Sequence, residues 1–492
     1  MSEFEFEGRG HLPRALSALR GRVTVAGLGV SGGPAARALH RLGAEVTVVD
    51  GADHDRARAQ AAELAPLGVT VRLGDGDTLP EGTELVVTTP GWKPSAPLFA
   101  AAEAAGVPVW GDVELAWRLR GTSPGGRPPA DWLAITGTNG KTTAVKMLAA
   151  MLAAAGLRTA AVGNIGVPLV DVVTGHGPYA ELDVLAVELS SYQLHWATSV
   201  RAHSAAVLNL APDHLDWHGS MEAYAADKGR IYAGNRVACV YNAADPVTEE
   251  LVRKADVEEG CRAVGFTLGA PAPGQLGVVD GLLVDRAFVP DPQRTAQELA
   301  AVADVQPPAP HNVANALAAA ALARAYGVEP AAVREGLRAF RPEPHRIERV
   351  AEIGGVTYVD DSKATNTHAT EASLAAYDGI VWIAGGLAKG ATFDDLVAGA
   401  AKRLRAAVLL GRDRALIAEA LARQAPDVPV VDIERTDSGA MAAAVAEAAR
   451  LAREGDTVLL APACASMDMF TNYNVRGEVF TAAVRELAAG GA

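Results

Sequence analysis

A glycine-rich segment between an apolar run and a helical pattern is the strongest chemical signal in this sequence. It is Gly137-Thr-Asn-Gly-Lys-Thr-Thr143, and the helix after it is predicted to begin near Ala144. Backbone N–H groups of such a loop, together with the N-terminus of the following helix, stabilise phosphate anions. The Lys141 ammonium can reach the outer phosphates of a nucleotide, and the Thr142 hydroxyl can bind Mg²⁺. The loop is a shorter variant of the usual pattern, because Ile135 stands where the first glycine is expected.

Two polar residues are predicted at the ends of apolar strands in the same region. Glu188 ends the run VLAVE, and His214 ends a strand predicted over 204–214. A carboxylate beside a phosphate loop suits Mg²⁺, which prefers oxygen ligands, although a glutamate at a strand end can also be simply solvated. The acidic and histidine residues nearby are Asp213, His214, Asp216 and His218. Their spacing matches no standard zinc site, so we predict a Mg²⁺ and substrate role for His214 alone.

Three further polar residues cannot be assigned from spacing alone. Lys228 lies in a helical stretch shortly after His214, where solvent exposure is the usual outcome for a lysine. Asn312 and Asn315 share one face at the start of a helix predicted over 311–327. Their amides could contact an adenine edge or could cap the helix.

A second glycine pattern follows a predicted strand near the N-terminus. It runs from Gly27 to Gly32 as GLGVSG, and Asp50 ends the next predicted strand. This arrangement is typical of dinucleotide binding. The same turn could equally hold the diphosphate of a UDP group.

Composition excludes several classes of protein. The formal net charge of −14 argues against broad binding to nucleic acid, which needs a basic surface. Three cysteines without a CxxC pair predict neither a disulfide framework nor a zinc site. The acidic start, Met1–Gly10, does not resemble a signal peptide. Because no apolar run is long enough to span a membrane, we expect a cytoplasmic protein.

The chain alternates short apolar strands with helical segments, which predicts an α/β fold with largely parallel sheets. Its 492 residues suggest about three domains. We place them at 1–111, 112–341 and 342–492, with Rossmann-like first and last domains flanking a central P-loop ATPase-like domain. Candidate linkers are 121–130 and 340–346, and a β-hairpin is predicted at Asp280–Gly281.

Ligands of such sheets bind at the carboxyl ends of the strands. Three polar loops are predicted at those ends in the last section. They are 361–366, 385–390 and 465–473.

The chemical segments occur in a single order along nearly the whole chain. They are TGTNGKTT (136–143), ELSSYQL (188–194), NLAPDHLDWH (209–218), KGRIY (228–232), HNVANALA (311–318), HR (345–346), DDSKATN (360–366) and PACASMDMF (462–470). Together they resemble the Mur ligases of peptidoglycan synthesis. The DDSKATN and PACAS segments resemble the members that add D-glutamate, whereas the phosphate loop is shared with folylpolyglutamate synthases.

The resemblance implies ATP-dependent ligation of D-glutamate to UDP-N-acetylmuramoyl-L-alanine through an acyl phosphate. The first domain would bind the UDP-muramoyl substrate, the second ATP and the third D-glutamate. The cofactors would be ATP and two Mg²⁺ ions, with Lys228 carbamylated so that it offers oxygen ligands. Partners would be these small molecules only, with no nucleic acid and no membrane span, and the protein would be a monomer.

Site residues follow from the resemblance position by position. The implied ATP-binding residues are Gly137, Thr138, Asn139, Gly140, Lys141, Thr142, Thr143, Asn312, Asn315, Arg346, Asp361 and Lys363. The implied UDP-substrate residues are Val30, Ser31, Asp50, Gly91 and Asn164. The implied D-glutamate residues are Thr365, Lys389, Ser466, Met467 and Tyr473. The implied metal ligands are Thr142, Glu188, His214 and Lys228, and the implied catalytic residues are Lys141, His214 and Lys228.

Two positions depart from the family pattern. Gly51-Ala52 stands where a Thr-Arg pair is familiar, so uracil recognition is expected to differ. Tyr473 stands where phenylalanine is familiar, which keeps the ring and adds a hydroxyl group.

Three other functions are compatible with parts of the sequence. A sister amide ligase, another Mur ligase or a folylpolyglutamate synthase-like enzyme, would keep the phosphate loop but lack the DDSKATN and PACAS segments. A nicotinamide-dependent dehydrogenase would use the first glycine pattern but leaves the phosphate loop unexplained. A non-catalytic regulator would bind ATP without releasing ADP.

Overall fold

The structure is a computed structural model that describes residues 19–121, 128–175, 179, 181–342, 344–437 and 439–490. The predictions for Met1–Gly10 and for most of the linker 121–130 therefore lie outside the described residues. Within the second linker, 340–346, residue 343 also lies outside them.

Within residues 19–121, five strands form a parallel sheet. The strands are β1 (Arg22–Ala26), β2 (Glu45–Asp50), β3 (Thr70–Leu73), β4 (Leu85–Thr88) and β5 (Val109–Gly111), and the helices are α1 (Gly32–Arg41), α2 (Asp55–Leu64), α3 (Pro97–Ala104) and α4 (Asp112–Leu119). The strand order is β3-β2-β1-β4-β5. Central strands such as β1 and β4 consist of buried residues almost throughout, as expected of a parallel sheet covered on both faces.

The middle of the chain builds a larger mixed sheet. Its strands are β6 (Asp131–Thr136), β7 (Thr159–Gly163), β8 (Val184–Glu188), β9 (Ser204–Val207), β10 (Ala238–Asn242), β11 (Arg262–Phe266), β12 (Gln275–Val279), β13 (Leu282–Asp285) and β14 (Gln297–Ala301). Its helices are α5 (Lys141–Ala154), α6 (Leu169–Val173), α7 (Ser191–His195), α8 (Leu215–His218), α9 (Met221–Gly229), α10 (Pro246–Arg253), α11 (Pro310–Ala325) and α12 (Pro330–Ala339).

The order of this sheet is β14-β13-β12-β11-β10-β9-β6-β8-β7. Strand β6 lies parallel between β8 and β9, so the phosphate loop that follows it lies at the carboxyl edge of the sheet. The predicted hairpin is confirmed, because β12 and β13 pair antiparallel around Asp280 and Gly281, both with positive φ.

The last part of the chain forms a third sheet. Its strands are β15 (Glu348–Ile353), β16 (Val356–Asp360), β17 (Ile380–Ala384), β18 (Leu404–Leu409), β19 (Val430–Asp432) and β20 (Thr457–Leu460), and its helices are α13 (Thr367–Leu374), α14 (Asp394–Ala400), α15 (Arg414–Gln424), α16 (Ala440–Leu451) and α17 (Tyr473–Gly490). The order is β15-β16-β20-β17-β18-β19. Only β15 pairs antiparallel among the described strands of this sheet.

The predicted α/β class with mainly parallel sheets is confirmed. The chain divides into two compact units, one of Met1–Asp304 with Ala314–Ala339 and the other of Val305–Val313 with Phe340–Ala492. The first unit contains the first two sheets, and the second unit contains the third. The three domain boundaries that we predicted stay a prediction.

Two local predictions were wrong. Strand β9 ends at Val207, so His214 does not end a strand but precedes the short helix α8. Helix α5 begins at Lys141 rather than near Ala144, because the left-handed Gly140 turns the chain directly into the helix. The strands β11, β14 and β15 were not predicted, since their short sequences mix charged with apolar residues.

Two further observations bear on the compositional predictions. Cys239, Cys261 and Cys464 are free thiols. Across the described ranges, no helix combines the length and the apolar character that crossing a bilayer requires.

The close packing of α12 against α5 in the first unit can be tested by a substitution at their contact. A Cβ atom added at Gly336 would lie 2.5 Å from the Met151 nitrogen and 2.8 Å from the Ala150 carbonyl carbon. Alanine normally stabilises a helix by about 1 kcal/mol relative to glycine, but here the contact is with backbone that cannot move aside. We expect Gly336→Ala to lower the free energy of unfolding by about 2 kcal/mol, as overpacking typically does, measured by urea denaturation.

Gly399→Ala is the matched control, because Gly399 lies in α14 and its Cβ would meet no atom within 4 Å. That variant should be as stable as the wild type or slightly more so. Equal stability changes for the two variants would contradict the packing argument.

Candidate active site

The phosphate loop joins β6 to α5 and contains Gly137 and Gly140. The backbone conformations of these two glycines would strain any other residue. Gly140 has φ 84°, and a Cβ there would lie 3.0 Å from the Asn315 Cγ. The turn at Gly140 brings the N–H groups of the first turn of α5, at Thr142 and Thr143, to the carboxyl edge of the sheet. This is the arrangement that binds nucleotide phosphate in other proteins.

Residues that follow β9 hold the loop in place. The Thr138 N–H donates to the Asn209 carbonyl (3.0 Å), and the Asn139 N–H donates to the Asn209 side chain (2.9 Å). The Thr138 hydroxyl lies 3.0 Å from the Tyr224 hydroxyl on α9. Sequence reasoning missed Asn209 and Tyr224, because neither residue type signals a phosphate site.

Two lysine amines converge on one backbone carbonyl of the loop. The Nζ atoms of Lys141 and Lys228 lie 2.9 and 2.8 Å from the Gly137 oxygen. Lys228 is only 2% exposed, so the solvent exposure that is usual for a lysine does not apply to it. Burial, and secondly the charge of Lys141, hold the Lys228 pKa well below its usual value.

An oxygen-rich pair lies next to this loop. The Thr142 hydroxyl donates to Glu188 Oε2 (2.8 Å), and the Asn164 amide donates to Glu188 Oε1 (3.0 Å). Glu188 is 2% exposed. A buried carboxylate beside a hydroxyl group is a donor set that suits Mg²⁺, so these residues fit the metal that was predicted for them. Asn164, which the resemblance implied as a UDP-substrate residue, thus contacts the candidate metal ligand Glu188.

His214 is the N-cap of α8 and has the left-handed φ of 54°. Its ring lies 4.9 Å from the Tyr192 ring, and its Nε2 lies 3.5 Å from an Asp213 oxygen. Burial lowers the His214 pKa in spite of the Asp213 charge. A neutral imidazole is the form that can ligate a metal or accept a proton.

A buried carboxylate fixes the helix that carries Lys228. Asp227 Oδ2 accepts hydrogen bonds from the Nδ1 atoms of His195 (2.8 Å) and His218 (3.0 Å), and Arg230 lies 3.3 Å from the other oxygen. His218 thus contacts Asp227 rather than the other acidic and histidine residues of 213–218. Sequence analysis did not single out Asp227.

The two asparagines of α11 differ in surroundings. Asn315 lies beside Gly140 of the phosphate loop. The Asn312 amide instead donates to the Pro307 carbonyl at 3.3 Å. Helix α11 begins at Pro310, ahead of both asparagines, so neither is its N-cap and the capping alternative was wrong. The contact with adenine stays a prediction.

In the first sheet, the Asp50 carboxylate at the end of β2 accepts hydrogen bonds from backbone N–H groups. Its oxygens accept from the Leu28 N–H (2.7 Å) and the Ala52 N–H (2.8 Å). Val30 is exposed, Ser31 is buried, and Gly91 lies in the exposed loop after β4. These positions are compatible with a ligand at the glycine turn, while Asp50 serves to hold that turn.

In the loops of the third sheet, a residue predicted to bind ATP contacts a residue predicted to bind D-glutamate. Asp361 is buried and accepts from the Ser373 hydroxyl and from the Ile347 N–H (3.3 Å). Burial raises the pKa of Asp361 to about 6. The Lys363 ammonium lies 3.8 Å from the centre of the Tyr473 ring, which is a cation–π contact.

The predicted D-glutamate loops are paired with each other. The Leu387 and Ala465 backbones exchange two hydrogen bonds, of 2.9 and 3.0 Å. Beside them, Lys389 has the left-handed φ of 50°, Ser466 is buried and Met467 is exposed. The Thr365 N–H donates to the Lys363 carbonyl at 2.8 Å.

Arg476 is a further residue that sequence reasoning missed. It is 2% exposed and donates to the Ser362 carbonyl (2.8 Å) and the Cys464 carbonyl (3.1 Å). It therefore ties the loop after β16 to the loop after β20. Burial lowers the pKa of Arg476 to about 10. Arg476 differs from an arginine on the surface of a helix only in its burial, which the sequence does not reveal.

Two family models match much of the sequence that carries these sites. The model described as Mur ligase middle domain matches residues 135–323, and the model described as Mur ligase, glutamate ligase domain, matches residues 345–464. The chain belongs to the Mur ligase family. Its middle match begins within β6 and so includes the phosphate loop.

Two relatives show how similar this Mur ligase is to other members. It is 79% identical to the UDP-N-acetylmuramoylalanine--D-glutamate ligase of Streptomyces coelicolor, over 95% of this chain and 98% of the relative. It is 76% identical to the protein of the same name from Streptomyces avermitilis, with the same coverage of both chains.

Solved structures bear on the fold alone. The Thermotoga maritima MurF ligase in complex with ADP superimposes with a TM-score of 0.56, at 15% identity, over 97% of this chain and 100% of that one. The likeness supports the assignment of this chain to the Mur ligase fold.

The buried Asp361 carboxyl predicts a pH-dependent stability. Its pKa near 6 lies above the usual 3.8, so between about pH 4 and 6 the native state keeps a proton that the unfolded state has lost. The free energy of unfolding therefore falls as pH rises through this window. We expect Asp361→Asn to remove this slope, so that its stability relative to wild type improves by up to about 3 kcal/mol from pH 4 to pH 6.5, measured by urea denaturation.

Asp378→Asn is the control, because the Asp378 side chain is 87% exposed beside Arg403. Its stability relative to wild type should not change with pH over the same range. An Asp361→Asn profile parallel to that of the wild type would show that the buried carboxyl does not titrate in this window.

Proposed function

We propose that this Mur ligase joins the amine of D-glutamate to the L-alanyl carboxylate of UDP-N-acetylmuramoyl-L-alanine, at the expense of ATP and through an acyl phosphate. The observation that carries the chemistry is the convergence of Lys141 and Lys228 on the Gly137 carbonyl, next to the buried Thr142–Glu188 pair. The names of the Streptomyces relatives supply the identity of the substrates.

We assign the three substrates to three domains. Residues 1–111 would bind the UDP-muramoyl substrate, residues 112–341 would bind ATP, and residues 342–492 would bind D-glutamate. In the first domain the ligand residues would be Val30, Ser31, Asp50 and Gly91, with Asn164 contributing from the second. The exposed Val30 and the glycine turn support this assignment, while Gly51-Ala52, in place of the Thr-Arg pair that is familiar in the family, would change uracil recognition.

ATP would bind through the phosphate loop and through further residues along the chain. The phosphates would contact Gly137, Thr138, Asn139, Gly140, Lys141, Thr142 and Thr143. Asn312 and Asn315 would face adenine, and Arg346, Asp361 and Lys363 would complete the site. The loop N–H groups and Lys141 would offset the charge that moves onto ADP oxygens during phosphoryl transfer. In this step a substrate carboxylate oxygen bonds to the γ-phosphorus, and the bond to the β-γ bridging oxygen breaks.

Thr142 and Glu188 would hold one Mg²⁺, and His214 with Lys228 would hold a second. Bound Mg²⁺ neutralises phosphate charge and polarises the oxygen atoms that it contacts. As an ammonium, Lys228 could not serve as a ligand. We propose that its amine bonds to the carbon of CO₂ and loses one proton, which makes a carbamate with two ligand oxygens. The buried position next to Thr136 and Gly137 supports a modification, since an anion there would face Lys141.

In the second half-reaction the amine of D-glutamate attacks the acyl carbon. The resulting tetrahedral intermediate expels phosphate, and the nitrogen loses a proton. His214 is our candidate to orient the groups or to accept this proton. Thr365, Lys389, Ser466, Met467 and Tyr473 would bind D-glutamate, where the Lys389 ammonium suits one of its two carboxylates. Positioning and electrostatics would supply most of the acceleration.

We further propose that the protein acts in the cytoplasm as a monomer on small molecules, without nucleic acid. One assay tests the central proposal, which is ADP release from ATP, UDP-N-acetylmuramoyl-L-alanine and a panel of amino acids. ADP release only with D-glutamate is the expected result. Release with L-alanine or a diamino acid would favour a sister ligase, and no release with any amino acid would favour a regulator.

Lys141→Ala should abolish this activity, because the loop then lacks the cation that offsets the charge of the outer phosphates. We expect a loss of about 1,000-fold in kcat, which is the upper end of the range that such electrostatic contacts supply. Lys254→Ala is the control, since the Lys254 side chain is 71% exposed and pairs with Glu250 across one helical turn. Turnover near the wild-type rate in Lys141→Ala would exclude the proposed phosphate contact.

Lys228→Ala should also be inactive but should regain part of its activity when short carboxylates such as acetate or formate are added. These anions would enter the space that the carbamate occupies and restore oxygen ligands. Lys141→Ala, assayed with the same carboxylates, should show no recovery. If Lys228→Ala does not respond to any short carboxylate while remaining folded, the carbamate is contradicted.

A further inference from the structure

Three loops of the third sheet approach one another at the turn Gly411–Asp413, which follows β18. Gly411 has φ 88°, and a Cβ there would lie 2.6 Å from the Gly386 nitrogen and 2.8 Å from Asp468 Oδ2. Only glycine permits so close an approach. The turn therefore touches both the loop 385–390, after β17, and the loop 465–473, after β20.

Asp413 fixes the first of these loops through two hydrogen bonds. Its Oδ2 accepts from the Ala388 N–H at 2.8 Å, and its own N–H donates to the Gly386 carbonyl at 3.0 Å. Lys389 directly follows Ala388 and has a left-handed φ of 50°. That conformation costs a residue with a Cβ about 1 kcal/mol or more, so surrounding contacts must hold it.

The same turn fixes the second loop. The Arg412 N–H donates to Asp468 Oδ2 at 2.8 Å, and Asp468 directly follows Met467. The two loops are also joined directly, by the backbone hydrogen bonds between Leu387 and Ala465. The position of Lys389 relative to Ser466 and Met467 is thus set by the turn, although no side chain of the turn belongs to the proposed substrate site.

We propose that Asp413 is a positioning residue for the amino-acid substrate. Its carboxylate holds the Ala388 N–H and thereby presents the Lys389 ammonium to a carboxylate of D-glutamate. The inference rests on the proposed function, because it assumes that Lys389 binds that carboxylate. A hydrogen bond to a charged acceptor contributes enough to fix a short loop, and displacement of a binding group by about 1 Å can weaken its action about 100-fold.

Asp413→Ala should raise the KM for D-glutamate about tenfold or more, because the lysine is no longer held in place. The KM values for ATP and for the UDP-muramoyl substrate should stay within about twofold, and kcat at saturating D-glutamate within about threefold. Asp413→Asn keeps a neutral acceptor for the Ala388 N–H, so its D-glutamate KM should rise only about threefold.

Asp432→Ala is the matched control. Asp432 lies at the end of β19 and pairs with Arg414, next to the same turn, but makes no hydrogen bond to either loop among the described residues. Its KM values should all match those of the wild type. A variant that merely loosened the fold would lower the melting temperature without a selective change in one KM.

A double-mutant cycle tests whether Asp413 acts through Lys389. Lys389→Ala alone should raise the D-glutamate KM, and adding Asp413→Ala should raise it no further, because the group to be positioned is gone. A further tenfold rise in the double variant would overturn the inference. So would an unchanged D-glutamate KM in folded Asp413→Ala, or equal increases for all three substrates.

If Asp413→Ala does not fold, Asp413→Asn decides the question. A selective rise of its D-glutamate KM supports the inference, and three unchanged KM values overturn it. Failure of the proposed function gives a different result, because the wild-type protein would then release no ADP with D-glutamate.

Discussion

The contact on which the central site depends is the convergence of two lysine amines on the carbonyl oxygen of Gly137. Both nitrogens lie within 2.9 Å of it, which places the buried Lys228 amine close to the half-buried Lys141 amine. Their mutual repulsion, added to desolvation, makes one of them a poor ammonium ion and leaves the site strongly attractive to anions. A nucleotide phosphate or a carbamate would relieve that repulsion. The site is therefore suited to bind an anion.

The surrounding buried charges follow the same physical rule. A charge removed from water must be compensated by hydrogen bonds or by an opposite charge. Asp227 meets this need through two imidazoles and Arg230, and Arg476 meets it through backbone carbonyls. Each of these groups fixes an element that carries a proposed ligand residue. Buried polar networks therefore act as supports for both sites, in addition to the apolar cores beneath the sheets.

Parallel strands explain why the candidate residues gather at the ends of the sheets. Strands that run in the same direction bring their following loops to one edge, and the loops there can take conformations that a strand cannot. Left-handed residues with side chains occur at this edge in His214 (φ 54°) and Lys389 (φ 50°). Both are proposed ligand residues. Backbone strain of this kind persists only where neighbouring contacts determine the conformation, as Asp413 does for the loop of Lys389.

The sequence by itself determined the α/β class, the phosphate loop, the hairpin at Asp280–Gly281 and the family, because glycine patterns, alternating apolar runs and ordered motifs are local properties of the chain. It did not determine the burial of Lys228, the Thr142–Glu188 contact or the supporting residues Asp227, Asp413 and Arg476. Such contacts join residues that lie far apart in sequence, and a charged side chain has the same appearance in a sequence whether it is solvated or buried. Only the tertiary structure decides which of the two it is, because burial depends on what packs around the side chain.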